Sequence, residues 1–133
     1  MADATTLGCT ACYGNDAQAV LAYYQSGGLE IDERLSDDSH FGVTIRHCTR
    51  CGQTFLFVFT EFVDWQGGED DQYTDVVPIS GAEAAEALQR PSDLQFLGSL
   101  GTGRRRLATA WPRGAKEKSI AWRTGAFAVV PGH

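Results

Sequence analysis

The sequence predicts an α+β domain: a three-stranded antiparallel meander carrying a four-cysteine zinc knuckle site, with flanking helices packed beside it. Three observations predict it. All four cysteines fall into two Cys-x-x-Cys pairs, Cys9–Cys12 and Cys48–Cys51. Apolar residues alternate into the second pair, which is the period of a half-buried strand, and run on both parities out of it, as in a central strand. Helix-capping signals lie on both sides of those strands.

Taken in order, Asn15-Asp16 can cap a helix over 16–25, and Gly27-Gly28 stops it. Val20, Leu21, Tyr23 and Tyr24 give that helix one apolar stripe. Residues 29–39 are acidic and read as a loop, with Asp37-Asp38-Ser39 as its turn. Phe41, Val43 and Ile45 alternate with Gly42, Thr44 and Arg46, so a strand runs into the second cysteine pair. From Thr54 to Trp65 the chain is apolar on both parities, with Phe55, Phe57 and Phe59 on one and Leu56, Val58 and Phe62 on the other. Such a strand belongs in the middle of a sheet. Gln66-Gly67-Gly68 turns the chain, and 73–79 is the return strand, with Pro78 placing its end at a sheet edge. Ser80 and Glu83 have capping-box spacing and open a helix to about Arg90. Pro91-Ser92-Asp93 begins a short helix to about Leu100. Residues 104–110 read as helical until Trp111-Pro112 breaks them, and 120–130 reads as a last strand or extended strap.

The chain has 133 residues, 43% hydrophobic and 21% charged, with 14 aromatics by its counts of Phe, Trp and Tyr. That suits one globular domain with a real core and excludes disorder over most of the chain. No apolar run approaches the ~20 residues of a membrane helix, and the polar start lacks the pattern of a signal peptide. A cytoplasmic protein without membrane contact is the expectation. Charge is unevenly spread. Residues 1–103 carry 4 Lys+Arg against 16 Asp+Glu, whereas 104–133 carry 7 against one, for a net charge of −6. The basic C-terminal segment is expected to dock on the acidic body, since that body repels nucleic acid at long range.

In a reducing compartment, paired cysteines with none left over read as metal ligands rather than disulfides. The two-residue gap lets both sulfurs of one turn face a common centre, and two such turns complete a tetrahedron around a soft-tolerant ion such as zinc. One Zn²⁺ per chain is expected on Cys9, Cys12, Cys48 and Cys51, with iron in the same cage the lesser alternative. His47, Arg50 and Gly52 are expected around the sulfurs, the cations favouring thiolate and the glycine allowing a tight turn.

These residues resemble the zinc-ribbon and rubredoxin-like knuckle superfamily, over 9–14 and more closely over 48–53 with the flanking strands. The resemblance implies that each pair sits on a knuckle and that the four cysteines are the ligands. The chain departs from the pattern in the 35 residues between the pairs, longer than the ~15–20 of compact sites. It departs also in the first glycine, which comes one residue late. The stretch from Glu61 to Ile79 is similar to that of small uncharacterised bacterial zinc-ribbon proteins, a likeness that implies no activity.

Other constellations have plainer readings. His40 suits a solvated strand start. Asp64, Glu69, Asp70, Asp71 and Asp75 suit a charged turn, lacking the ligand ladder of a calcium loop. Gly98 to Gly103 followed by Arg104, Arg105 and Arg106 could contact a polyanion, but neither a P-loop nor a dinucleotide fingerprint is present. No serine has a nucleophile-elbow context. The reading is therefore a non-enzymatic zinc-binding module with a protein partner. Its alternatives are nucleic-acid contact through Arg104–Arg106, a metal-dependent enzyme, or an iron-containing electron carrier.

Overall fold

A computed structural model describes residues 7–132. The chain forms one antiparallel sheet of six strands in the order β1-β2-β3-β4-β5-β6, so each strand pairs only with its neighbours in sequence. The strands are β1 (Leu29–Asp38), β2 (Phe41–Cys48), β3 (Thr54–Phe62), β4 (Asp71–Pro78), β5 (Arg106–Trp111) and β6 (Ser119–Arg123). Helices α1 (Thr10–Tyr13) and α2 (Ala17–Tyr23) precede the sheet, and α3 (Gly81–Gln89) and α4 (Leu94–Ser99) lie between β4 and β5.

The three-stranded meander is therefore corrected to six strands within an α+β fold. The expected meander forms its centre, β2 to β4, and the sheet extends past it on both sides. The acidic stretch 29–38 is the edge strand β1 rather than a loop. Its charged side chains misread as loop because an edge strand tolerates, and gains from, charge on its open side. The stretch read as helical over 104–110 is β5. Arginine and alanine are good helix formers, but pairing on both sides with β4 and β6 overrides that local preference. β5 also makes β4 an interior strand. Pro78 is tolerated because it ends β4 two residues past Val76, where pairing with β5 stops.

Each face of the sheet buries its own cluster. On the back face Val43, Ile45, Leu56, Val58 and Val77 pack against Ala87 of α3, Leu97 of α4 and Val129 from the irregular C-terminal segment. Both helices start on real caps. Ser80 accepts from the Glu83 N–H while Glu83 accepts from the Ser80 N–H, and Asp93 accepts from the Phe96 N–H. On the front face Leu29, Cys48, Phe55, Val76 and Leu107 make a row across the strands, covered by Cys12 of α1 and by Val20 and Tyr24 of and just after α2. Asp16 caps α2 by accepting from the Gln18 and Ala19 N–H groups, as its place in the sequence requires.

The C-terminal segment is tied to the back face by a buried ion pair. Arg106, 9% exposed, donates from Nε to Asp75 at 2.8 Å and from Nη1 to the Gly125 carbonyl. Burial pushes the Asp75 carboxyl above its ordinary pKa even though Arg106 pulls the other way. Among the described residues no buried side-chain nitrogen or oxygen lacks a hydrogen-bond partner. Among the same residues no helix is long and apolar enough to cross a membrane.

Candidate metal centre

The two cysteine pairs reach a common point from different local structures. Cys9 stands in extended backbone just before α1, and the one-turn helix brings Cys12 back beneath it. The Cys9 N–H points at the Cys12 sulfur at 3.3 Å. Gly8 has φ +109°, and a Cβ there would lie 2.5 Å from Cys12 Sγ, so no larger residue fits that approach. The second pair sits on a tight turn between β2 and β3. Gly52, at φ +80°, donates to the Cys48 carbonyl at 2.9 Å, and the Cys48 N–H returns a bond to the Gln53 carbonyl. The Arg50 N–H approaches Cys48 Sγ at 3.4 Å.

The sulfurs converge. Cys9 and Cys12 are 3.8 Å apart, Cys9 and Cys48 3.9 Å, and Cys12 and Cys51 3.7 Å, with all four within 4.8 Å of one another. A tetrahedron of metal–sulfur bonds of about 2.3 Å has edges of about 3.8 Å. A disulfide would bring two sulfurs to about 2.05 Å, and all four cysteines are free thiols. The cluster fits a metal ion. Cys12 and Cys48 are buried at 0% and 1% exposure, Cys9 is half-buried and Cys51 faces solvent, so the site is closed below and open at one rim.

The surroundings bias the four thiols differently. Burial raises Cys48, but the Tyr23 hydroxyl and the Cys51 and Arg50 N–H groups outweigh it and draw the thiol down to about 6. Burial raises both Cys12 and Cys51. A cation among them would stabilise all four as thiolates.

Four side chains that the sequence did not assign to this site hold it in place. Tyr23 puts its hydroxyl 3.1 Å from Cys48 Sγ, with the Arg50 guanidinium 5.1 Å from its ring centre. Tyr24 donates to the Cys12 carbonyl at 2.6 Å, and Tyr13 donates to the Arg105 carbonyl at 2.7 Å. Arg105 closes the assembly from β5's side. Its guanidinium lies 4.3 Å from the Tyr13 ring centre and 4.0 Å from that of Trp122, and it donates to the Tyr13 and Gly14 carbonyls. The only sequence signal for the tyrosines was a pair of phenols on a short helix. Arg105 read as a possible polyanion contact and gave no signal for this role, since the carbonyls it bonds lie about 90 residues away in the chain.

The other expected site residues fall as follows. His47 lies on the strand parity of Ile45, away from the sulfurs, and its Nδ1 is 2.8 Å from Asp32. Arg50 contributes its backbone N–H and its stacking on Tyr23, and Gly52 forms the turn. Arg104 bonds Glu83 at 2.6 Å and the Pro78 carbonyl, so it, Arg105 and Arg106 each have partners inside the chain. His40 pairs with Glu61 at 3.1 Å, and Asp64 folds over its own loop by accepting from the Gln66 and Gly67 N–H groups.

No family model matches the chain, and neither a curated protein nor a solved structure matches it. The likeness to zinc-ribbon proteins therefore rests on the two knuckles.

Proposed function

We propose that Cys9, Cys12, Cys48 and Cys51 bind one Zn²⁺ per chain as a closed structural site. On this reading the chain is a non-enzymatic zinc-binding module of the zinc-ribbon kind that works in the cytoplasm through a protein partner. The observation that carries it is the set of sulfur separations, 3.7–3.9 Å along three edges. Four thiolates fill a tetrahedral shell, leaving no position for the water that a catalytic zinc needs. Metal in this place stitches α1 to the β2–β3 turn, two elements too small to hold each other by burial.

The protein-partner part is supported by exposed apolar side chains away from the metal. Trp65 in the β3–β4 loop is 76% exposed, and Trp111 at the end of β5 is 41% exposed. Both lie at the end of the sheet opposite the cysteines, since β3 runs from the knuckle toward Trp65 and Trp111 pairs with Gln72 at the start of β4. Exposed large aromatics grouped at one end suit a partner surface. Nucleic-acid contact is disfavoured because the three arginines that suggested it bind groups within the chain.

Elemental analysis of purified protein, with thiol titration before and after chelation, tests the metal. One zinc per chain, with four thiols reactive only after chelation, is the expected result. Iron, seen as a red protein that bleaches on reduction, would replace the structural reading with electron transfer. Metal-free protein with disulfides would end both.

A further inference from the structure

Beyond the metal, the front face of the sheet leaves a groove of about 240 Å³ over β1, β2 and β3, past the edge of α1 and α2. Its walls include Arg34, Arg46, Phe57 and Phe59, and Gly42 and Thr44 line it between them. We propose that this groove binds a small anion bearing one aromatic ring, an aryl carboxylate or aryl phosphate.

Three features of the chain build it. First, β1 carries an extra residue at Asp32, between the pairs Ile31↔Arg46 and Glu33↔Ile45. That bulge shifts the pleat by one and sets Arg34 opposite Thr44, on the groove's face; a regular strand would turn it to the back. Second, Gly42, the second residue of β2, pairs regularly with Phe59, and a Cβ built on it would meet nothing within 4 Å. A strand glycine weakens its strand, and here it keeps open the space beside the Phe59 ring. Third, among the described residues the two guanidinium groups have no anionic partner. Arg46 lies 3.7 Å over the Phe57 ring and donates from Nε to Thr44. Among the described residues neither it nor Arg34 forms an ion pair, although acidic side chains outnumber basic ones 17 to 11. Asp37 lines the groove without closing on either.

Two like charges share a half-covered groove, so an anion between them removes their repulsion and can take forked hydrogen bonds from both. The aromatic walls then select a flat ring over a bare ion. The groove, at about 240 Å³, admits one ring.

The test is a ¹H–¹⁵N titration of the metal-loaded protein with benzoate and phenyl phosphate, and with cyclohexanecarboxylate and inorganic phosphate as controls. Saturable shifts at the Gly42 and Thr44 amides and the Arg46 Nε–H are expected, with each aryl anion binding about tenfold tighter than its control. Arg34→Gln, an exposed substitution that leaves the core intact, should weaken binding about tenfold or more. Gly42→Val should abolish it by filling the space while leaving the amide spectrum around the cysteines unchanged. The proposal is overturned if the aryl anions bind no better than the controls, or if both variants bind like the parent. Preference for benzoate over phenyl phosphate, or the reverse, would name the head group.

Discussion

The two faces of the sheet are held down by different physics. On the back, α3 and α4 have complete caps and lay aliphatic side chains on five buried strand residues, so burial is sufficient to seat them. On the front, α1 has four residues and α2 seven, too few for either to persist by its own hydrogen bonds. What the front adds to its own apolar cluster is a set of polar and sulfur contacts: the cysteine cluster, three tyrosine hydroxyls and the Arg105 guanidinium between two aromatic rings. Short elements can cover a sheet when a few directional bonds supplement area.

On the proposed zinc reading, the contrast is broken most severely at the cysteine cluster. Cys48→Ser, or chelation, should release the ion and strip hydrogen-exchange protection from 9–28, a loss of many kcal/mol given the ~10–16 kcal/mol of structural zinc in small domains. Amides of α3 should stay protected until global unfolding. Equal loss on both faces would show that they form one cooperative unit.

Leu97→Ala attacks the other side. Leu97 is fully buried, and truncation should cost about 2–5 kcal/mol in denaturant unfolding. Metal content should not change, and its loss would join the two faces.

Arg105→Ala sharpens the comparison further. It removes a stacked guanidinium and leaves the Tyr13 and Gly14 carbonyls without their donor. A cost of about 1–3 kcal/mol is expected, with faster loss of metal to a competing chelator and no change in the α3 amides.

The smallest effect is on the back, at Glu83. Burial raises its carboxyl, but the Ser80 N–H and the Arg104 guanidinium outweigh that and hold it below its ordinary value. A depressed carboxyl stabilises the fold above the unfolded value of about 4.3 and loses that contribution as pH falls through the folded one. Glu83→Gln should therefore cost about 1 kcal/mol near neutrality and flatten the acid side of the stability profile. Stability of the two proteins measured from pH 3 to 7 should converge at the acid end.

The legible parts were those encoded by local spacing. Cys-x-x-Cys places two sulfurs on one turn whatever surrounds it, and Asp16, Ser80 and Asp93 cap helices by contacts within three residues. The alternation through β2 and the continuous apolar run of β3 likewise need no distant partner to be seen. What escaped depended on pairing partners, next along the chain or far from it, rather than on local composition. Residues 29–38 become a strand because β2 pairs with them, and 106–111 because β4 and β6 do. Their composition, acidic in one and rich in helix formers in the other, pointed elsewhere. The same holds for the site. The four clustered cysteines were visible, whereas Tyr24 on the Cys12 carbonyl and Arg105 on Tyr13 are products of the finished packing.

The strict sequence order of the strands also bears on how the protein is made. Every strand finds its partner among its immediate neighbours, so the sheet can be added hairpin by hairpin as the chain leaves the ribosome. All four cysteines lie within residues 9–51, ahead of β3. The four sulfurs can thus be brought together with the first hairpin formed and before β3 to β6 pair, whereas Arg105, which comes 54 residues after Cys51, can lock that assembly only later.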